Sequence, residues 1–356
     1  MERIKEIQEQ LSAYQLDSLL LTDPISRQYA TGFSASFGVL LLSQKNALFI
    51  TDSRYIEDAQ KQIRKARVQL FQAGSTYEEL VLNFLTQHQL QSLGFEGKRT
   101  TQSAFSALEK KLQQSPTTLF PADSLLANLR QVKSKVELEK IKQAQKITDL
   151  VFSEILNIIS PTLTEKQLEA ELVYRVHKHG GQGMSFPPIV VSGPRSSLPH
   201  GKAGNYPLST FLTLDFGTKY DGYCSDMTRT VSIGKPTEEM EMVYSTVLKA
   251  QLAGIRAAKA GVLGRKVDEA ARKVITDAGF GSYFGHGFGH GIGLEVHEGL
   301  GASPREQSPL AEGSVITAEP GIYLPGKYGV RIEDMLYLGE NHTENLTKSP
   351  KELIIL

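Results

Sequence analysis

The chain has 356 residues, 40% hydrophobic and 22% charged, with 39 basic and 39 acidic residues that balance to a formal net charge of zero. That balance excludes the broad basic surface of a nucleic-acid or anionic-membrane binder, and the length suggests about two domains of ordinary size. The one cysteine, Cys224, excludes an internal disulfide and fits a reducing compartment.

The N-terminus, Met1-Glu2-Arg3-Ile4-Lys5-Glu6, is charged and has no apolar signal core behind it. Apolar runs such as Val39-Leu40-Leu41-Leu42 are strand-length, so no membrane span is expected and the reading is cytoplasmic. Residues 2–16 place Ile4, Ile7, Leu11 and Leu16 at near-helical spacing. Runs at 18–21, 38–42 and 47–50 predict strands. Helical patterns at 54–65, 77–88 and 101–112 alternate with strands near 68–71 and 92–95. An α/β domain is expected, with 116–129 as its exit.

From Ser134 a charged helix is predicted to about residue 159, ended by Ser160-Pro161. Thr164-Glu165-Lys166-Gln167 reads as a capping box that opens a second helix to about residue 179. Turn-rich, strand-like sequence fills 186–233. A second helix pair follows at 238–260 and 266–278, and strand-like sequence again succeeds it. The order helix, helix, strands occurs twice, as a repeat of architecture rather than of sequence.

Three of the eight histidines, His286, His290 and His297, lie in or just beyond Gly285-His286-Gly287-Phe288-Gly289-His290-Gly291-Ile292-Gly293. A His-x-x-x-His pair on a helix could bind zinc, but each glycine there would cost about 1 kcal/mol relative to alanine. Extended or looped backbone packed close to a neighbour, with its imidazoles aimed into a site, is expected instead.

Carboxylates flank this segment in both halves. Thr213-Leu214-Asp215-Phe216-Gly217 ends an apolar strand on an acid, and a hairpin turning near 220–222 would bring Asp226 of Ser225-Asp226-Met227-Thr228-Arg229-Thr230 beside it. Asp221, next to Gly222, reads as a turn residue. The second half repeats the device with Ala318-Glu319-Pro320-Gly321, a turn at Leu324-Pro325-Gly326, and Arg331-Ile332-Glu333-Asp334. Two carboxylates about 4 Å apart repel by roughly 4 kcal/mol at an effective dielectric of about 20. Four gathered in one buried place would not stay ionised without cations. Two divalent ions balance four carboxylates, with neutral His290 as a fifth ligand, and oxygen-rich ligation with one imidazole suits Mn2+ or Co2+ and less strongly Zn2+. Cys224 reads as a buried small residue rather than a ligand.

In order and context these phrases resemble the five-ligand signature of the pita-bread metallopeptidases, the group that contains methionine aminopeptidase, aminopeptidase P and prolidase. That resemblance runs from about residue 134 to 356. Tyr29-Ala30-Thr31-Gly32-Phe33 and Phe49-Ile50-Thr51-Asp52-Ser53-Arg54-Tyr55 resemble the leading domain of the creatinase, prolidase and aminopeptidase P branch. The implied fold is an α/β creatinase/prolidase-type N-terminal domain over 1–129. After it comes an α+β pita-bread catalytic domain over 130–356, built from pseudo-twofold helix-helix-strand halves. Creatinase itself lacks the metal ligands, so the complete set argues against it.

The resemblance also implies roles. Asp226 and Glu333 bridge two metal ions, Asp215 completes one shell, and His290 with Glu319 completes the other. The implied reaction is hydrolysis of the bond between an N-terminal residue and proline. Glu319 shuttles the proton, His297 stabilises the carbonyl oxygen, and His200 contacts the proline side of the substrate. His286 lines the pocket, and Arg331 orients carboxylates or contacts the substrate. Implied partners are peptides with proline at the second position and a second copy of the chain. Some prolidases carry Pro-x-Arg after the histidine equivalent to His297; here Glu298-Gly299-Leu300-Gly301 follows, and Arg305 falls further on. That tilts the reading to an Xaa-Pro aminopeptidase, with Xaa-Pro dipeptidase (prolidase) and then methionine aminopeptidase as alternatives. A catalytically silent binding protein on this fold would lack ligands, and all five are present.

Overall fold

Ile4, Ile7 and Leu11 form the buried face of α1 (Arg3–Leu11). The computed structural model describes residues 3–113 and 115–356, so Glu2, included in the expected first helix, lies outside the described residues. That helix ends well before residue 16: the chain tightens into a 3-10 turn and Gln15 takes a left-handed φ of 56°. β1 (Ser18–Leu21) follows as expected. The sequence reading did not anticipate α2 (Pro24–Thr31). Its signals are local: the Asp23 carboxylate accepts the N–H groups of Ile25 and Ser26, Pro24 opens the first turn, and Gly32 closes it at φ 74°.

Next come β2 (Val39–Ser43), β3 (Ala47–Thr51), α3 (Ile56–Gln62) and β4 (Arg67–Leu70). After them lie α4 (Tyr77–Gln87), β5 (Ser92–Phe95) and α5 (Gln102–Leu112). Residues 116–129 are more than an exit. They form β6 (Thr118–Pro121), parallel to β5, and open α6 (Asp123–Gln131). β6 is short, largely exposed and ends in proline, which an edge strand tolerates but a burial pattern does not reveal. The sheet order is β4-β3-β2-β1-β5-β6, over a core that includes Leu20, Leu41, Ile50, Phe84 and Leu93.

The chain divides into Met1–Arg130 and Gln131–Leu356. In the second unit Ser134 caps α7 (Lys135–Leu156) through a reciprocal box with Glu137, and Thr164 does the same for α8 (Glu165–Lys178) with Gln167. Then come β7 (Gly183–Met184), β8 (Ile189–Ser192), β9 (Thr210–Phe216), β10 (Thr218–Tyr220), β11 (Tyr223–Cys224) and β12 (Met227–Ile233). The second half starts with α9 (Glu238–Ala257) and α10 (Gly264–Asp277). It continues through β13 (Val315–Ala318), β14 (Gly321–Leu324), β15 (Tyr328–Arg331), β16 (Asp334–Leu338) and β17 (Thr343–Asn345).

Each half encloses a hairpin within an outer antiparallel pair: β10–β11 within β9–β12, and β14–β15 within β13–β16. Asp221 (φ 45°) and Gly222 (φ 83°) make the first turn, a conformation that suits these two residue types. Asp221 is exposed there and pairs with Lys140 at 2.5 Å. Each helix pair covers its own strands. Val151, Phe152, Leu172, Leu214 and Phe216 pack in one half, and Val243, Val247, Phe288, Ile316 and Leu336 in the other. No described helix is long and apolar enough to cross a membrane.

Candidate metal centre

The strand registers set the acids. Asp215 on β9 faces Thr228 on β12, and Asp226 immediately precedes that strand. Between them, a Cβ on Gly217 would fall 1.8 Å from the Ser225 carbonyl oxygen, so only glycine lets the chain cross there. In the other half Glu319 follows β13, Glu333 precedes β16, and Ala318 pairs with Asp334. All four acid positions thus lie at the same end of equivalent strand pairs.

Thr228 joins the halves. Its hydroxyl donates to Glu333 Oε2 at 2.7 Å, and the Glu333 N–H donates to its carbonyl at 3.0 Å. Behind it, Arg229 is 1% exposed and uses every N–H it has. These go to the carbonyls of Thr228, Glu333, Ser349 and Pro350 and to Asp334 Oδ1, the last at 2.8 Å.

The glycine-rich segment runs extended beside β13, as its composition suggested. Glu319 N–H donates to Phe288 O at 2.7 Å, Thr317 N–H to His290 O at 2.8 Å, and Ile292 N–H to Val315 O at 3.1 Å. A Cβ on Gly289 would lie 2.0 Å from the Thr317 carbonyl oxygen, and one on Gly291 2.0 Å from that of Glu298. The alternation therefore buys close backbone approach. His290 Nδ1 meets the Gly291 carbonyl at 3.2 Å; because a carbonyl only accepts, Nδ1 carries the proton and Nε2 presents a lone pair. That nitrogen lies 3.6 Å from Asp226 Oδ2 and 3.4 Å from Glu319 Oε1.

Burial dominates the electrostatics. It pushes the carboxyls of Asp226 and Glu333 well above the usual range, and repulsion from neighbouring acids, including Asp215 and Glu319, adds to this. Glu319 is pushed up to about 8, mainly by burial, with Arg331 opposing. Burial also depresses His290 to about 3 and His286 to about 4, keeping both imidazoles neutral.

The remaining sequence-predicted residues surround this cluster. His297 opens to solvent on one side, its ring centroid 4.1 Å from that of His290, and partial burial of the ring, followed by the charge of His200, holds its pKa down. His200 lies on an exposed loop before β9. Fully buried Glu165 anchors that loop, accepting the N–H groups of Ser192 (2.8 Å) and Gly204 (3.0 Å) and pairing with Arg195 at 3.1 Å. Arg331 is 4% exposed and commits its guanidinium to protein groups: Asp215, the Thr228 hydroxyl, the Pro199 carbonyl and, at 2.8 Å, Tyr323 Oη. Tyr323 in turn donates to His286 Nε2 at 2.9 Å, since Nδ1 of that ring donates to Gly287 O.

Sequence reasoning missed Tyr323, Thr228 and Thr317. The last two had a usable signal. Thr228 stands two positions from Asp226 and Thr317 two from Glu319, so strand alternation puts each on the acid's face. Thr317 Oγ1 donates to Glu319 Oε1 at 3.3 Å.

Residues 139–340 match Metallopeptidase family M24, and residues 3–132 match the Creatinase/Prolidase N-terminal domain. The chain belongs to metallopeptidase family M24. It is 38% identical to the uncharacterized peptidase YqhT of Bacillus subtilis, over 100% of this chain and 99% of that one. The structure named Xaa-Pro dipeptidase from Bacillus anthracis superposes with a TM-score of 0.95 at 41% identity, covering 100% of this chain and 99% of the other. The X-Pro aminopeptidase structure from Thermotoga maritima gives 0.92 at 37% identity, covering 99% and 100%. This M24 hydrolase therefore has the creatinase-type leading domain and the pita-bread catalytic fold.

The donor set fits the divalent metals of M24 enzymes. Asp215 Oδ1, Asp226 Oδ1 and Glu333 Oε1 are buried and have no hydrogen-bond partner among the described residues. Asp226, His290 and Glu333 each offer a ligand atom within 4.8 Å of the others. Unpaired carboxylate oxygens are costly in such a place, and a divalent cation satisfies them.

Proposed function

We propose that this M24 enzyme is a dinuclear exopeptidase that releases the N-terminal residue from peptides with proline in second position. The observation that carries the reading is the set of three unpartnered, buried carboxylate oxygens on Asp215, Asp226 and Glu333, the last two residues each offering a ligand atom within 4.8 Å of one on His290. The proline specificity is supported by the relatives named Xaa-Pro dipeptidase and X-Pro aminopeptidase.

Asp215, Asp226, His290, Glu319 and Glu333 would hold the two cations between them. Divalent cations would supply Lewis acidity, polarising a carbonyl and lowering the pKa of water to about 7. We assign Mn2+, because four carboxylates and one imidazole make an oxygen-rich set. Glu319, whose Oε1 lies 3.4 Å from His290 Nε2, would relay a proton to the departing proline nitrogen. Neutral His297 can donate to the carbonyl oxygen as charge develops there. His200 would meet the proline side, and His286 would shape the pocket from its fixed place on Tyr323. Arg331 serves by holding Asp215 and Tyr323 rather than by reaching for substrate. A cytoplasmic setting, in keeping with the single buried thiol, and a homodimer complete the reading.

Protein freed of metal by chelation and reloaded with Mn2+ should hydrolyse Ala-Pro-Ala and leave Met-Ala-Ser largely uncut. Activity on Ala-Pro alone would make it a dipeptidase. Cleavage of Met-Ala-Ser in preference to both would overturn the proline reading.

A further inference from the structure

Close to the centre lies a buried ion pair that the proposed chemistry leaves unused. Lys133 Nζ and Glu298 Oε1 are 2.8 Å apart, and the two side chains are 3% and 5% exposed. Desolvating two charges is expensive, so stability alone is a weak reason for such a pair.

Its geometry suggests another reason. Glu298 directly follows His297 in the chain. Its second carboxylate oxygen accepts the Glu295 N–H at 3.1 Å. Its own N–H donates at 2.9 Å to the Gly291 carbonyl, the acceptor that also fixes the proton on His290 Nδ1. Gly293 leaves room for the carboxylate: a Cβ there would fall 2.0 Å from Glu298 Oε1. Residues 291–298 are thus folded around one carboxylate. The cation that neutralises it is anchored in turn, because the Lys133 N–H donates to Gly313 O at 2.8 Å and the next residue, Ser134, caps α7.

We propose that Lys133 and Glu298 are positioning residues, which close the 291–298 loop so that the His297 imidazole is held beside His290 at the carbonyl under attack. The proposal deepens the Xaa-Pro peptidase reading and rests on it for the role of His297.

The test compares wild type, Glu298→Gln, Lys133→Met, His297→Ala and the double variant Glu298→Gln/His297→Ala on Ala-Pro-Ala with Mn2+. Glu298→Gln keeps the shape of the side chain and serves if Lys133→Met does not fold. A loosened imidazole should lower kcat about ten- to a hundred-fold with KM nearly unchanged, as small misplacements do. The double variant should be no worse than His297→Ala alone. Unchanged kcat in Glu298→Gln, or losses that multiply in the double variant, would overturn the proposal. Hydrogen exchange supplies a readout independent of turnover. In the folded Glu298→Gln protein, protection of the amides of Glu295 and Glu298 should fall while the rest of the second unit is unaffected; retained protection counts against the clamp. Should wild type cleave no Xaa-Pro peptide, the functional reading fails and the exchange result still decides whether the loop is held this way.

Discussion

Thr228 and Glu333 bind each other twice, hydroxyl to carboxylate at 2.7 Å and backbone N–H to carbonyl at 3.0 Å. The first bond aims one Glu333 oxygen, leaving Oε1 without a partner among the described residues. The second fixes the strand that carries it. A carboxylate from one half is therefore oriented by a residue of the other, and neither half can form the centre alone.

Asp226→Asn should abolish metal binding without unfolding the chain, because a neutral isostere removes repulsion from Glu333, Asp215 and Glu319. The metal-free variant should melt no lower than the metal-free parent. Activity should fall at least about a hundred-fold, the upper range already seen when outer-shell partners of ligands are lost. Elemental analysis beside thermal melting checks both halves of the statement. A variant retaining two equivalents of metal would refute it.

The pH dependence of the chelated protein has a definite sign. Glu319 is raised to about 8, and Asp226 and Glu333 are also raised, so the folded chain holds protons that the unfolded chain releases near pH 4. Stability of the metal-free protein is then greatest at the acid end of this window and is lost as pH rises through the folded values. Cations remove the penalty by displacing those protons. The gap in Tm between Mn2+-loaded and chelated protein should widen from about pH 5 to about pH 8, and loading should release protons, detectable by calorimetry in two buffers. A gap independent of pH would exclude these acids as the ligands.

Gly289→Ala should cost about 1–3 kcal/mol, in the range of forced overpacking, because its methyl would lie 2.0 Å from the Thr317 carbonyl oxygen. The same change at Gly285, where nothing lies within 4 Å, should be nearly silent. Denaturant titration of the pair separates close approach from mere loop flexibility.

Much of this could be seen in the primary structure, and the reasons are physical. An acid at the end of an apolar strand, followed by turn residues and a second acid, is a short-range pattern, and its recurrence marked Asp215, Asp226, Glu319 and Glu333. Glycine alternation excluded a helix around His290 for energetic reasons alone. Thr164 and Gln167 announced the cap of α8. Two features had no local pattern to show them: Tyr323 reaches His286 only because β14 folds back past it, and Lys133 meets Glu298 across 165 residues. α2 was overlooked although Asp23-Pro24 and Gly32 bracket it, because a helix of 8 residues shows too little periodicity to stand out.

Arg229→Met should be among the most damaging single changes, at about 3–5 kcal/mol, since it strands the buried Asp334 carboxylate with less than its full complement of cations. Arg229→Lys should rescue little, as one ammonium cannot reproduce the fork. Chemical unfolding of both variants provides the comparison, and near-wild-type stability of the lysine variant would contradict it.

That arginine also ties the first half of the catalytic unit to the last residues of the chain. Its acceptors at Asp334, Ser349 and Pro350 are translated more than a hundred residues after it. Without the second half, the Thr228 carbonyl is the one partner left to that guanidinium among those described. A chain cut short before Asp334 would hold the strands and acids of the first half around an arginine stripped of its counter-charge.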